Sequence, residues 1–415
     1  MSEPLHVLVY GSIDRGVCDR YRFGMFADRL MGEGIELRPW DRHRILVPSQ
    51  FEDDPVTAVD GGLADLDRET LDWADVIVFR RWYQTVWACA DCDVEPGDWV
   101  RLAGHAAATG HEAAEPELLL RPLLATILER PEILRGRAIV YETDDDVLDY
   151  PDWTGFGPAA AAERDVIETL LRRADLVTVA TPVLATIAAR YNDAVRVVRN
   201  AVDPAWYAAP PAGPPPLGSP RLLYYGVPVR LRDYALCHGA VEAVVAAHPA
   251  ARRIWLGAAN EPAVAAIVDE VGPYVEGLPA FARALVEARP DIGLAPLLDE
   301  PFNRAKSELH WLEYSLAGAA TVASASAGPG PYDVIRDGLD GLLARTPADW
   351  HRALAELAAS ADRRAELAGR ARERILVEYD PAVRAAEWAD AYRWAADHAG
   401  RGRTARIGRR ELRSA

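Results

Sequence analysis

The chain repeats one pattern twice: a short apolar run, a turn containing glycine or polar residues, and a helical stretch. LHVLVYGS begins the first series and RLLYYG begins the second. Short apolar runs between turn signals are typical of buried parallel strands, and their alternation with helices favours an α/β fold. One strand of the second series is predicted at YVEG, 274–277. In such sheets ligands bind beyond the carboxyl ends of the strands.

A proline- and glycine-rich stretch, AAPPAGPPPLGSP at 208–220, separates the two series. Repeated proline cannot continue a helix or a central strand, so this stretch is predicted to be a linker. We therefore expect one Rossmann-like domain at 1–207 and a second at 221–380. The remainder is expected to form a helix at 381–400 that packs back on the first domain, followed by a basic tail at 401–415.

Length and charge limit the class of protein. A chain of 415 residues is too long for one hydrophobic core, and a net charge of -17 argues against nucleic acid as a partner. No apolar run approaches the roughly 20 residues that span a bilayer, and the N-terminus lacks the charge pattern of a signal peptide. Four cysteines do not make a disulfide framework. These features predict a cytoplasmic globular protein.

The stretch PFNRAKSELHWLEYSL, which begins at Pro301, combines polar residues with helical spacing. Lys306, His310 and Glu313 are four and three residues apart, which places them on one stripe of a continuous helix. Asn303 is the predicted N-cap. A lysine in the first turn opposes the helix dipole, so its presence indicates a bound anion. The alternative is a helix face exposed to solvent.

Three linked stretches of the second half carry a family resemblance. They are ADLVTVATPVLATIAARY with VRVVRNAVDPAWY, IGLAPLLDEPFNRAKSELHWLEYSLAGAATVASASAG, and YDVIRDGLDGLLARTPADWHRAL. From about 174 to 380 their order and spacing resemble the GT-B glycosyltransferases of the large family 4 type. The resemblance implies two Rossmann-like domains facing a cleft, with a nucleotide-diphosphate sugar in the C-terminal domain and the acceptor in the N-terminal one. It also implies a role in carbohydrate biosynthesis and transfer with retention of configuration.

The same resemblance assigns roles to individual residues. A helix points its N-terminus at the donor diphosphate, with Lys306 beside the phosphates, and Glu313 accepts hydrogen bonds from the two ribose hydroxyls. Ser307 and His310 belong to the same donor site, as does Gly226, which ends the first strand of the second domain. After this glycine, Arg230 and Arg232 are expected to bind the diphosphate, because a guanidinium donates two hydrogen bonds to an oxyanion. Arg232 and Lys306 would stabilise the departing diphosphate.

The sequence also departs from the family pattern. Ala305 stands where family members have a glutamate facing the transferred sugar, and Val227 stands where an arginine usually follows the glycine. Two alternatives to a transferase therefore stay open: a nucleotide-sugar epimerase on the same scaffold, and a nucleotide-sugar-binding protein that has lost catalysis.

Two polar stretches of the first domain are further candidates. Arg20 and Arg22 follow the first strand and are expected to reach the donor phosphates or an anionic acceptor, unless they are an ordinary charged helix start. Asp144, Asp145 and Asp146 end another strand, where they would bind a cation, hold acceptor hydroxyls or supply a base; Asp145 is the candidate catalytic residue. The alternative is a helix cap at Asp144 with solvent-exposed neighbours.

No metal and no cofactor beyond the nucleotide sugar are expected, because helix dipole and basic side chains already supply positive charge. The alternative is a structural zinc, since four residues have ligand chemistry: Cys89, Cys92, His105 and His111. The six arginines of 401–415 are expected either to contact an anionic membrane surface weakly or to form a disordered tail.

Overall fold

A computed structural model of the chain describes residues 3–10, 13, 17–40, 72–80, 136–155, 157–162, 164–207, 220–257 and 261–399. The linker up to 219, the basic tail and the four candidate zinc ligands lie outside these residues. The chain divides into two compact units. The first comprises Met1–Arg15, Phe26–Val198 and Ala385–Ala415, and the second comprises Gly16–Met25 and Arg199–Arg384.

The strands within the described residues are, in chain order, β1 (Leu5–Tyr10), β2 (Ile35–Trp40), β3 (Val76–Arg80), β4 (Ala138–Thr143), β5 (Leu176–Val179), β6 (Val195–Val197), β7 (Arg221–Tyr225), β8 (Arg252–Leu256), β9 (Glu270–Gly272), β10 (Ile292–Ala295), β11 (Ala320–Ser324) and β12 (Leu342–Ala344).

The α-helices of the same part of the chain are α1 (Val17–Arg22), α2 (Ala27–Gly32), α3 (Gly157–Ala162), α4 (Arg164–Arg173), α5 (Pro182–Ala188), α6 (Leu231–Ala247), α7 (Pro262–Ala265), α8 (Leu278–Glu287), α9 (Pro301–Arg304), α10 (Leu309–Leu316), α11 (Pro347–Ala359), α12 (Ala361–Glu378) and α13 (Pro381–Asp397).

Each unit contains one parallel sheet. The order in the first is β2-β1-β3-β4-β5-β6, and in the second it is β12-β11-β10-β7-β8-β9. Strands β3, β4 and β10 are buried along their whole length, as apolar strands of parallel sheets covered by helices must be. The prediction of two α/β sheets followed by a helical C-terminus is confirmed.

Two strand assignments differ from the prediction. YVEG at 274–277 is not a strand; β9 lies just before it, and Gly277 adopts a φ of 87° at the start of α8, a conformation that glycine favours. IELRPW forms β2, which was not predicted. It is the edge strand of the first sheet, where Pro39 is tolerated because one side of an edge strand needs no ladder hydrogen bonds.

The second sheet presents its carboxyl ends to the candidate site. Its core is formed by apolar residues of β7, β8 and β11 packed against α6 and α11, including Trp255, Val241 and Leu354. Because all strands are parallel, β7 and β10 end at the same edge of the sheet, at Tyr225 and Ala295. The loops that follow these two strands carry most of the residues considered below.

Candidate functional site: a cavity at the carboxyl edge of the second sheet

The predicted continuous helix from Pro301 is wrong, because the chain forms two helices with a break at 305–308. Asn303 is not an N-cap: it lies inside α9, is fully buried, and donates from its amide to Asp233 (3.3 Å) and to the carbonyl of Leu298 (3.0 Å). These bonds hold α9 against the sheet edge. Lys306 therefore lies in the break and not on the same helix as Glu313.

A cavity of about 330 Å³ lies within the second unit, beyond β7 and around the start of α10. Most of the residues predicted for the donor site line it: Gly226, Arg230, Lys306, Ser307, His310 and Glu313. Apolar side chains, including Leu278 and Phe281 of α8, form another part of the wall. The structure thus brings together cations, a carboxylate and an apolar surface from separate segments.

Arg230 is held at the cavity wall by a buried polar network. Its Nη1 donates to Asp233 Oδ2 (2.9 Å) and to Asn303 Oδ1 (3.0 Å). Asp233 is fully buried and also accepts from the backbone N–H of Leu298 (2.9 Å). A buried carboxylate needs such partners, so the network fixes the arginine in place.

Arg232, the other predicted phosphate ligand, has a different neighbour. Its guanidinium forms a two-pronged ion pair with Glu300, the residue before α9, and Arg232 is not among the residues that line the cavity. Its predicted catalytic role gains no support from this geometry.

The break before α10 contributes a cation and a hydroxyl to the cavity. Lys306 places its Nζ 4.3 Å from the centroid of the Phe302 ring. The Ser307 hydroxyl accepts a hydrogen bond from Asn200 Nδ2 (3.0 Å). Glu308 precedes α10 without giving it a side-chain cap. Uncapped N–H groups and the helix dipole favour an anion at such a position.

Glu313 is buried and accepts hydrogen bonds from two phenols. Tyr21 of α1 donates to one carboxylate oxygen, and Tyr225 of β7 donates to the other. Burial raises the pKa of Glu313 to about 7, and the two phenol hydrogen bonds act in the opposite direction. The carboxyl group therefore titrates near neutral pH.

His310 contributes an aromatic surface and not a charge. Its ring stacks on Tyr225 at a centroid distance of 4.1 Å and an interplanar angle of 8°. Burial lowers the pKa of His310 to about 4, so the imidazole is neutral at pH 7. Its Nε2 lies 3.3 Å from the carbonyl oxygen of Tyr225, to which it donates if that nitrogen carries the proton.

Arg20 and Arg22 belong to the second unit, although they lie early in the sequence. Arg22 is buried and donates from Nη1 to Asn200 Oδ1 (3.1 Å). The Arg20 guanidinium lies against Gly277, where an added Cβ would be 2.8 Å from Nη1. Neither residue is among those lining the cavity, whereas Tyr21 between them is.

Tyr21 and Tyr225 were not among the predicted site residues. A single tyrosine near the end of a short helix gives no sequence signal of its role. Tyr225 had a signal, since it immediately precedes Gly226 at the carboxyl end of a strand, where parallel sheets bind ligands.

The three aspartates lie in the first unit, each with its own partner. Asp144 pairs with Arg80 (3.3 Å), Asp145 accepts from the hydroxyl of Tyr150 (2.7 Å), and Asp146 accepts from the backbone of Leu148 (3.3 Å). All three are buried, so the alternative of a cap with solvent-exposed neighbours is wrong. Burial, with nearby Asp149, raises the pKa of Asp146 to about 6.

Within the part of the chain that the structure describes, no group of three or more His, Cys, Asp or Glu side chains is arranged to hold a metal ion. Over the same residues, no helix has the length and apolar character needed to cross a bilayer.

Comparison with known proteins agrees with this architecture. Residues 276–390 match the family model described as Glycosyl transferase-like, a range that includes α9 and α10. A search of curated protein sequences found no match.

Solved structures with a similar fold cover almost the whole chain. Sucrose-phosphate synthase from Thermosynechococcus elongatus is 13% identical over 94% of this chain and 98% of its own, with a TM-score of 0.57. HepE from Anabaena, solved with UDP and glucose, is 14% identical over 93% of this chain and 98% of its own, with a TM-score of 0.52.

A third similar structure is TarM of S. aureus, which is 14% identical over 76% of this chain with a TM-score of 0.51. The chain spans about half of TarM, 54% of its length. At these identities the likeness concerns the fold. The two parallel sheets and these similar structures show the GT-B fold, and residues 276–390 match the Glycosyl transferase-like family model.

Proposed function

We propose that this protein transfers a sugar from a UDP-sugar donor to a glycan, lipid-linked or small-molecule acceptor, and that the donor binds in the cavity of the second unit. The observation that carries the proposal is the convergence of Arg230, Lys306 and Glu313 on one cavity beside the uncapped start of α10. We propose uracil as the base of the donor nucleotide because HepE, which has a similar fold, was solved with UDP and with UDP-glucose.

The arrangement supports a division of roles within the donor. Arg230 and Lys306 supply positive charge where the diphosphate would leave, and such charge stabilises a growing negative charge in the transition state. Glu313 offers acceptor oxygens to ribose hydroxyls. The apolar wall near Phe281 and the stacked pair of Tyr225 and His310 suit the flat face of a base.

The transfer chemistry would be electrostatic. The bond between the anomeric carbon and the diphosphate breaks, an acceptor oxygen bonds to that carbon, and the acceptor's proton passes to a base. We infer retention of configuration from the resemblance alone. Ala305 is fully buried and carries only a methyl group, so this position supplies no carboxylate for the transfer.

A panel of UDP-, GDP-, ADP- and TDP-sugars tests the donor class by thermal shift. A true donor at 100 times its Kd stabilises the protein by about 2.7 kcal/mol. The best donor is then supplied with a radiolabelled sugar, and transfer of the label to an acceptor, or its release by hydrolysis, is measured. Release of UDP with label in a new product supports transfer, conversion of the sugar without release indicates an epimerase, and binding without either indicates a protein that has lost catalysis.

A further inference from the structure

The segment Gly16–Met25 lies between two stretches of the first unit in sequence but belongs to the second unit in the fold. Three consecutive side chains of α1 contact separate parts of that unit. Arg20 lies against Gly277 at the start of α8, Tyr21 donates to Glu313, and Arg22 donates to Asn200. We name Gly16–Met25 the α1 segment.

Each of these contacts leads to a wall of the cavity. Gly277 begins α8, whose Leu278 lines it, and Asn200 donates onward to Ser307, which also lines it. Tyr21 reaches the cavity directly. The α1 segment therefore contacts the cavity wall, or a residue next to it, at three separate places.

The hydrogen bond from Tyr21 to Glu313 matters because of the surroundings of this carboxylate. Among the described residues, five tyrosines interact with it, from α1, β7, the segments at 204–207 and 331–334, and its own helix: Tyr21, Tyr225, Tyr207, Tyr332 and Tyr314. Arg230, Lys306 and His310 line the same cavity. Burial raises the pKa of the last four tyrosines, so those phenols stay neutral. Of the five, Tyr21 and Tyr225 donate hydrogen bonds to the carboxylate. A buried carboxylate without donors would take up a proton and lose acceptor capacity.

We propose that Tyr21 is a positioning residue of the donor site: its hydroxyl, delivered by the α1 segment, holds Glu313 ionised and oriented as an acceptor for the ribose hydroxyls. The ribose part of this statement rests on the proposed function. Each carboxylate oxygen has about two acceptor positions, so a phenol and a ribose hydroxyl can share one oxygen.

The test uses the full chain and three variants. Tyr21→Phe and Tyr225→Phe each remove one hydroxyl that reaches Glu313 and keep the ring. Tyr234→Phe is the matched control, because Tyr234 is a buried tyrosine of the same unit that packs against the rings of Tyr224 and Trp255 and does not line the cavity. Thermal unfolding confirms that each variant is folded.

The first readout needs no ligand. Infrared spectra from about pH 5 to pH 9 give the titration of the carboxyl signal that is lost in Glu313→Gln. We expect Tyr21→Phe and Tyr225→Phe each to raise the midpoint by about one pH unit, and Tyr234→Phe to leave it unchanged. An unmoved midpoint in Tyr21→Phe overturns the proposal, whether or not the protein binds UDP.

The second readout is the affinity for UDP across the same pH range, by calorimetry. We expect Tyr21→Phe to bind UDP roughly five- to tenfold more weakly near pH 7 and to recover most of the loss near pH 9, where Glu313 is ionised without help. Equal affinity at every pH contradicts the proposal. Tighter binding does so too, because it would show that the hydroxyl competes with the ribose. If the wild-type protein binds no UDP, the proposed donor class fails while the infrared titration still decides the role of Tyr21.

Discussion

Glu313 shows how a single buried residue links stability to function. Burial favours the protonated form of this carboxyl group in the folded state, so its pKa rises to about 7 from an ordinary 4.5 even though two phenol hydrogen bonds act in the opposite direction. The unfolded chain then binds fewer protons between these values, so this residue's contribution to stability falls as pH rises from about 4.5 to 7. Sites that keep such a group are built at a cost in stability.

Glu313→Gln should therefore stabilise the ligand-free protein at pH 8 by up to about 3 kcal/mol and by almost nothing near pH 4. Denaturant unfolding at the two pH values measures the difference. Glu366→Gln is the control, since Glu366 is exposed on α12 and pairs with Arg363, which lowers its pKa. A stabilisation of Glu313→Gln that does not depend on pH would contradict the assigned pKa.

Lys306 and Arg232, both predicted from the sequence to stabilise the departing diphosphate, should behave differently. Lys306→Ala is expected to weaken UDP binding about tenfold or more and uridine binding little, because a charged contact to phosphate contributes about 1.5–3 kcal/mol. Arg232→Ala is expected to change neither, since Arg232 pairs with Glu300 and is not a cavity-lining residue. Calorimetry with both ligands separates the two cases. A large, UDP-specific loss in Arg232→Ala would restore Arg232 to the site.

At the scale of elements, the position of Glu313 depends on how α10 packs on β10. Gly293 leaves room for the ring of Tyr314, whose hydroxyl donates to the carbonyl of Leu294 (3.0 Å) and accepts from the backbone of Tyr225 (3.2 Å). Tyr314 thus ties α10 to two neighbouring strands. This packing places the residue before it, Glu313, at the cavity.

Gly293→Ala should disturb this packing, because the new Cβ would lie 2.3 Å from Cγ of Tyr314. We expect a loss of about 1–3 kcal/mol in stability, the usual range for an overpacked core, together with weaker UDP binding. Gly369→Ala on the exposed face of α12 meets no atom within 4 Å and should stabilise by about 0.5–1 kcal/mol. Chemical unfolding of both variants is the measurement. Equal stability of Gly293→Ala and wild type would rule out the contact.

At the scale of the whole molecule, the candidate residues divide between the two units. The proposed donor cavity lies in the second, whereas the three aspartates lie in the first, where Asp144 forms an ion pair with Arg80. Asp145 and Asp146 instead accept hydrogen bonds from Tyr150 and from the backbone of Leu148. Binding of donor and action on acceptor should therefore be separable by mutation.

Asp145→Asn is expected to lower turnover while leaving UDP affinity within about twofold, because it lies outside the donor unit and the amide oxygen can still accept from Tyr150. Transfer should also persist in EDTA, since Arg230 and Lys306 already supply positive charge to the diphosphate. Steady-state kinetics measures the turnover, with and without EDTA, and calorimetry measures the affinity for UDP. A matching loss of UDP affinity in Asp145→Asn, or activity that returns only with added Mg²⁺, would contradict the division.

The sequence alone determined the alternation of strands and helices, the two α/β sheets and six of the residues that line the cavity, because these depend on local apolar periodicity and on linked motifs in one stretch of chain. The tertiary structure decided what depends on contacts distant in sequence. Tyr21 donates a hydrogen bond to Glu313, 292 residues away in sequence. The buried amide of Asn303 donates to Asp233, and the guanidinium of Arg232 donates to Glu300. No local pattern encodes such pairs, since a hydrogen bond forms wherever folding brings donor and acceptor together.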